Sequence, residues 1–451
     1  ANGTFSSEIG TIISDINFKI DEQVVDQSSY AGKLKLINFN LGKYLNDTLN
    51  FQTVSMNGRI TGKGLTQSTA DFKLDGVVES LGLRNYTYSN IKTNARFAAE
   101  FFSGKIEIND PNLEFHATGS IDLRNKINEI KLTGKLDTAY LHKLYLTKKE
   151  LFLSSTLDVD IRGFSLDSLV GKADLNDFFI RFEDQQLSLD EIGLESKNSN
   201  NQRQVKLRSN LVDANVTGNF FLSRLFKDIP QLVKEFQLNI QNDNEAITQY
   251  YSQKKNIPER YAADFTVTVK EIKPIMTLLN VDLDVSKNTF IEGRFLNGPV
   301  SSVQAFTEID TIKYGKNFRY QTEFDLHASK DADSTEALAM VYLFSNKQEI
   351  GQLKTRNLYS EVVWDKSHMD VDLSIVQQET TNRIDLSGII DFHDSTRIQL
   401  LPSTISMLEK KWEVIPNNSI KISGKEWHFN NFGFTQLQQA ITLNGKISAD
   451  S

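Results

Sequence analysis

Short runs that alternate apolar and polar residues, each closed by Gly, Asn or Asp, continue from one end of this chain to the other. A strand carries successive side chains on opposite faces, so this rhythm specifies strands with one apolar and one polar face. Clear cases are Ile91, Thr93, Ala95, Phe97, Ala99, Phe101; then Leu113, Phe115, Ala117, Gly119, Ile121; then Ile130, Leu132, Gly134, Leu136; and Leu151 through Leu157, Val159 and Ile161. The rhythm returns late in the chain at Ile384, Leu386, Gly388, Ile390 and Phe392. Asn109-Asp110-Pro111-Asn112 is a turn signal between two such runs. With so little helix to cover the apolar faces, something else must fill them.

Composition narrows the chemistry. Cysteine is absent, which excludes disulfides, thiolate catalysis and Cys-ligated metal. A net charge of -8 with both signs mixed gives no nucleic-acid footprint. No stretch approaches the roughly 18 apolar residues of a membrane span, and Ala1-Asn2-Gly3-Thr4 lacks the parts of a signal peptide. Alternation persists to Gly445-Lys446-Ile447, so the chain reads as a piece of a longer protein whose anchor and export signal lie outside it.

Two segments depart from the rhythm. Leu222, Leu225, Phe226, Ile229, Leu232, Val233 and Phe236 recur at three and four, predicting an amphipathic helix over 221–236 that is kinked or divided at Pro230. The polar stretch 241–260, with Lys254, Lys255 and Pro258, reads as a loop or insertion. A shorter interruption at 138–150 has Tyr140, Leu141, Leu144 and Tyr145 near helical spacing. The expected organisation is a first β segment at 1–220, a helix and loop insertion at 221–260, and a second β segment at 261–451.

Glycine recurs between inward apolar positions at Gly119, Gly134, Gly218, Gly388 and Gly445. It either permits a bend or leaves room for a ligand. Closed sandwiches would bury the apolar faces against each other. A sheet curled into a trough would instead leave them for a guest, and Phe, Ile, Leu and Val without charges solvate acyl chains. The residues expected to line such a trough are Phe97, Phe101, Phe115, Ile121, Leu132, Leu157, Val159, Ile161 and Ile390, each from an unambiguous run.

Catalytic signals are weak, and neither an enzyme nor a cofactor is expected. The six histidines are dispersed without metal-ligand spacing, and His393-Asp394 falls among turn residues. Gly62-Lys63-Gly64 lacks the spacing of a phosphate loop. Glu107, Asp110 and Glu114 read as a solvated strand edge, and Trp364, Trp412 and Trp427 as core packing.

Three stretches carry a resemblance: Val77 to Tyr86 (VVESLGLRNY) with Tyr88 to Ile91, Phe102-Ser103-Gly104-Lys105-Ile106, and Leu113 to Leu123 (LEFHATGSIDL). Together with the final part, from Leu401-Pro402-Ser403 through Trp412 to Ile447, they resemble the repeating modules of the TamB family, akin to the AsmA-like group, in Bacteroidota. The resemblance covers most of the chain. It implies an all-β, elongated, U-shaped β-taco of mostly antiparallel strands with one or two short helices, located in the periplasm between the inner and outer membranes. It further implies an inner-membrane anchor outside this fragment, an Omp85-class outer-membrane barrel partner, and a role in phospholipid transport and outer-membrane protein assembly. The departure at 221–260 interrupts a pure taco. The lineage also implies glycans on Asp-Ser/Thr-apolar patterns, at Thr48, Thr138, Ser168 and Thr311. The rival reading is a structural or adhesion module of closed sandwiches or a β-solenoid that binds protein or glycan. A third is a scaffold that guides unfolded barrel proteins through strand edges.

Overall fold

The computed structural model describes residues 2–21, 24, 27–64, 66, 68–124, 128–254 and 259–448. Lys255 and Pro258, from the stretch read as a polar loop, lie outside the described residues. The protein is all-β, with 29 strands of antiparallel sheet and four helices among the described residues. The antiparallel all-β expectation therefore holds. The chain divides into two compact units: unit 1 comprises Ala1–Lys197 and Lys206–Asn210, and unit 2 comprises Asn198–Val205 and Leu211–Ser451.

Unit 1 is a meander. Its strands are β1 (Asn2–Ser7), β2 (Gly10–Lys19), β3 (Ser29–Asn40), β4 (Phe51–Lys63), β5 (Asp71–Leu83), β6 (Tyr86–Ala98), β7 (Phe101–Asp110), β8 (Leu113–Asp122), β9 (Glu129–Tyr140), β10 (Leu151–Arg162), β11 (Val170–Phe182) and β12 (Gln185–Ser199). From β1 to β12 each strand pairs with the next in chain order. Among the described residues its one helix is α1 (Leu41–Leu45), whose first turn is capped by the Asn40 side chain accepting from the Lys43 N–H. The segment near helical spacing at 138–150 is no helix. β9 runs to Tyr140, and a turn follows in which the Leu144 N–H donates to the Tyr140 carbonyl and the Leu141 N–H to Leu151.

Glycine settles how tightly neighbouring strands approach. Gly104 and Gly119 face each other across β7 and β8 with φ of +151° and +159°. A Cβ would lie 2.4 Å from the Ala95 Cα at Gly104 and 1.9 Å from the Lys131 carbonyl oxygen at Gly119. Gly134 and Gly218 are crowded in the same way, so these glycines mark close approach of a neighbouring backbone. At Gly388 the nearest atom is 3.1 Å from that Cβ position, and at Gly445 nothing lies within 4 Å.

Unit 2 carries β13 (Gln202–Ser209), which it shares with unit 1, and then β14 (Val212–Gly218). Two helices follow, α2 (Leu222–Gln241) and α3 (Asn244–Gln253), and then β15 (Tyr261–Val269), α4 (Lys273–Leu278), β16 (Leu283–Val285), β17 (Thr289–Asn297), β18 (Val300–Tyr314), β19 (Asn317–Asp331), β20 (Ala337–Ile350), β21 (Leu353–Asp365), β22 (His368–Gln377) and β23 (Arg383–Phe392). Six further strands complete it, from β24 (Thr396–Leu400) to β29 (Gln439–Ser448), the first four of them only four or five residues long.

Helix content exceeds the expectation of one or two short helices. α2 runs past Phe236 to Gln241 and passes through Pro230 without a break. It ends at Asn242 in the left-handed conformation, whose N–H returns to the Leu238 and Asn239 carbonyls. The stretch read as a loop holds α3, because the Asp243 carboxylate accepts from the Glu245 and Ala246 N–H groups and so starts a helix at once.

Candidate functional site

The pairing register fixes which side chains share a face, because residues directly opposite in an antiparallel pair point the same way. In unit 1 it assembles apolar rows that run across the strands. One row is Ile60, Leu74, Ala95, Gly104, Gly119, Leu132, Val159, Ala173 and Leu194. Beside it runs Thr93, Ile106, Ala117, Gly134, Leu157, Leu175 and Ile192. Flanking rows hold Ile91, Ile108, Phe115 and Leu136 on one side, and Phe72, Phe97, Phe102, Ile121, Ile130 and Ile161 on the other. No charged side chain interrupts these rows.

The opposite face carries the charged side chains. Arg96 pairs with Asp71 at 2.6 Å, Arg162 with Glu129 at 3.2 Å and Lys131 with Asp160 at 3.4 Å, all with exposed basic partners. Such pairs contribute little to stability but mark the face that meets water.

Of the nine residues expected to line a trough, seven lie on the apolar face of unit 1: Phe97, Phe115, Ile121, Leu132, Leu157, Val159 and Ile161. Ile390 lies on the corresponding face of unit 2, opposite Met369 and Ile398. All eight are half-buried. Phe101 is the correction: it pairs with Ala98, on the charged face, where the guanidinium groups of Arg124 and Arg96 lie 4.2 and 5.5 Å from its ring centroid. β6 ends at Ala98 and a two-residue turn intervenes, so the alternation that links Phe97 to Phe101 in sequence crosses from one face to the other.

At the strand ends of this face a compact cluster forms from Phe39, Val54, Val78 and Ile91. Within the rows Ile60, Leu74, Thr93, Ala95 and Ala117 are also buried, whereas Phe97, Phe115, Ile121, Leu132, Leu157, Val159 and Ile161 stay half-buried, and α1, at five residues, is too short to roof them.

In unit 2 the matching face is partly covered. Ala263, Phe295, Val303, Ala328, Ala339 and Trp364 make one row, and α2 packs on it through Leu225 and Leu232, with Phe236 edge-on to Trp364 at 5.7 Å. At its far end the Asn242 amide donates to the His393 carbonyl at 3.0 Å and reaches Thr396 Oγ1 at 3.3 Å. A 20-residue helix is about 30 Å long. Seven steps between strands, from β15 to β23, span about 34 Å. α2 therefore lies across the strands rather than along them.

Beneath α2 and α3 sits a buried polar cluster that the sequence reading missed. Glu235, 3 % exposed, accepts from Lys254 Nζ at 2.8 Å, Tyr250 OH at 3.0 Å and Gln231 Nε2 at 3.2 Å. Asp228 accepts from Tyr261 OH at 2.9 Å and Asn297 Nδ2 at 3.0 Å. Lys330 donates to the Ser334 and Glu336 carbonyls, and its ammonium and that of Lys254 lie 5.2 and 5.3 Å from the Tyr251 ring centroid. The i, i+4 pair Gln231 and Glu235, flanked by Leu225, Leu232 and Leu238, was the available signal.

Burial pulls the Lys330 ammonium down to about 8 from its ordinary 10.5; Glu235 opposes the shift and Lys254 reinforces it. The folded state thus releases a proton that the unfolded chain keeps between those values, so stability gains a positive slope with pH there. Burial also raises Tyr250, Tyr251 and Tyr261, which reverses the slope above about 10, where the unfolded tyrosines ionise first. Urea unfolding of the protein is expected to show a rise from pH 8 to pH 10, and Lys330→Met should flatten it.

The remaining expectations place as follows. Asp110 is buried at 6 % exposure rather than on a solvated edge, accepting from Tyr86 OH, the Ser89 N–H and hydroxyl, and the Asn112 N–H. Burial pushes its carboxyl up, and those donors outweigh it and hold it below the usual range. Glu114, His116 and Asp137 converge to within 4.8 Å beside the β8–β9 bulge, but Lys135 already pairs with Asp137. Trp364 is buried, Trp412 half-buried and Trp427 42 % exposed, so core packing describes the first alone. Thr48 and Ser168 occupy exposed turns, while Thr138 and Thr311 lie within β9 and β18. Among the described residues no helix is long and apolar enough to cross a membrane. No family model matches the chain, and searches of curated proteins and of solved structures return no significant match.

Proposed function

We propose that the protein is a non-enzymatic carrier of phospholipid acyl chains, which rest on the apolar face of unit 1. The observation that carries this reading is the set of uncharged rows in which Phe97, Phe115, Ile121, Leu132, Leu157, Val159 and Ile161 are half-buried, with α1, five residues long, the one helix of unit 1 among the described residues. Leaving a face of that extent half-exposed costs about 25 cal/mol for each Å² that a guest would cover, so an apolar guest is favoured. Together with the resemblance to TamB-like proteins, the reading places the chain in the periplasm as a segment of a bridge. An inner-membrane anchor outside the fragment and an Omp85-class barrel protein would be its neighbours, and phospholipid transport and support of outer-membrane protein assembly its role.

A photoreactive residue at Phe115 or Leu157 should capture lipid when the protein is purified from cells and examined by native mass spectrometry. Phe115→Asp should abolish capture at Leu157, since a carboxylate among acyl chains has no partner. Recovery of protein or glycan adducts without lipid at both positions would favour the adhesion-module reading instead.

A further inference from the structure

α2 is docked with its apolar side turned partly away from the sheet. At about 100° per residue, Asp228 and Glu235 lie on one flank of the helix, Leu225 and Leu232 come next, and Ile229, Ile240, Val233 and Phe226 follow in the same rotational sense. The first flank meets polar groups near the strand ends, where Tyr261, Asn297, Ser301, Lys330 and Ala337 form a row in register. Leu225 and Leu232 belong to the cluster formed with Ala263 and Phe295, one row further in. Continuing round, the third flank faces further along the strands, toward the next row: Phe265, Gly293, Ala305, Leu326, Val341, Val362 and Val371. That third flank is open, with Phe226 66 %, Val233 51 %, Ile240 55 % and Ile229 37 % exposed. The side chains of the facing row are half-buried and none carries a charge.

We infer that α2 is the second wall of an acyl-chain site in unit 2, rather than a plug that closes the apolar face. The inference deepens the carrier reading and rests on it. The occupant is argued from what the two walls offer. Both present apolar side chains alone, so a polypeptide lying between them would leave its backbone N–H and C=O groups unpaired, whereas an acyl chain has none to satisfy. The solvent side of α2 carries the exposed cation Lys227, which complements an anionic headgroup at the rim, while Lys234 is turned toward α3 with its ammonium 5.0 Å from the Tyr250 ring centroid. Because α2 crosses the strands, the site runs in the direction of the rows, and a chain held there lies parallel to the helix.

The test uses the whole protein with benzoylphenylalanine at Val233 or, separately, at Phe115, irradiated with vesicles of phosphatidylglycerol or of phosphatidylcholine. Lipid adducts at Val233 are expected, more abundant with phosphatidylglycerol, and Phe226→Asp should reduce them about tenfold while leaving those at Phe115 unchanged. Lys227→Glu should abolish the preference for the anionic lipid. Phe226 is mostly exposed, so an unchanged melting temperature separates lost binding from misfolding. Adducts at Phe115 without any at Val233, or adducts at Val233 indifferent to Phe226→Asp, would overturn the wall and leave the carrier reading standing. Failure at both positions would overturn both.

Discussion

Replacing Glu235 with alanine is expected to destabilise unit 2 by about 3–5 kcal/mol, the effect of leaving a buried ammonium without its counter-ion. Lys254 is the group left behind: its side chain is 13 % exposed, and besides Glu235 it has the Ala332 carbonyl at 2.9 Å and the Tyr251 ring. Tyr250 loses its acceptor as well. Removing both charges as Glu235→Leu with Lys254→Met should cost far less, since the desolvation penalty disappears with the pair. All three tryptophans, Trp364, Trp412 and Trp427, belong to unit 2, so intrinsic tryptophan fluorescence during urea unfolding reports on this unit alone. Trp364 is the sensitive probe, because Phe236 of α2 packs edge-on against it. Equal losses in the single and double variants would show that the cluster acts through packing rather than charge.

The second large effect is expected at Gly119→Val in unit 1. Its φ of +159° is one that side-chain-bearing residues rarely adopt, and the new Cβ would meet the Lys131 carbonyl oxygen at 1.9 Å. Backbone atoms of a paired strand cannot step aside without breaking the ladder. Strain of about 1–3 kcal/mol from the dihedral and a similar amount from overpacking give a loss of about 3 kcal/mol or more. Amide exchange in β7, β8 and β9 is the appropriate measurement, with Gly388→Ala as the contrast. Gly388 has no positive φ, and its nearest neighbour would lie 3.1 Å from the new Cβ, so protection around it should change little.

Strand assignment was legible because period-two alternation survives any twist of the sheet; Phe115, Leu132 and Leu157 fall on one face for that reason. Phe101 was not. A two-residue turn pairs residue i with i+3, which joins positions of opposite parity, so alternation read through Ala99 and Glu100 assigns the wrong face. Nothing at that turn announces itself by composition: Glu100 takes a φ of +56° without being Gly, Asn or Asp. The helix at 222–241 was visible from its spacing, but its orientation was not, because the sequence suggests that the most apolar arc is the buried one. Asp228 and Glu235 turn the helix by finding partners on Tyr261, Asn297, Tyr250 and Lys254, residues distant in sequence or beyond the helix itself. α3 carried a usable signal in Asp243 two residues before Glu245, which the polarity of the stretch obscured.

The strictly consecutive pairing from β1 to β12 has a bearing on how the chain acquires its structure. No strand in that series waits for a partner made much later, so loop closure stays short at every step and nucleation need happen only once. Synthesis or threading from the amino end could therefore lay down structure hairpin by hairpin, each new strand templated by the one just formed, with at most one unpaired edge advancing along the growing array.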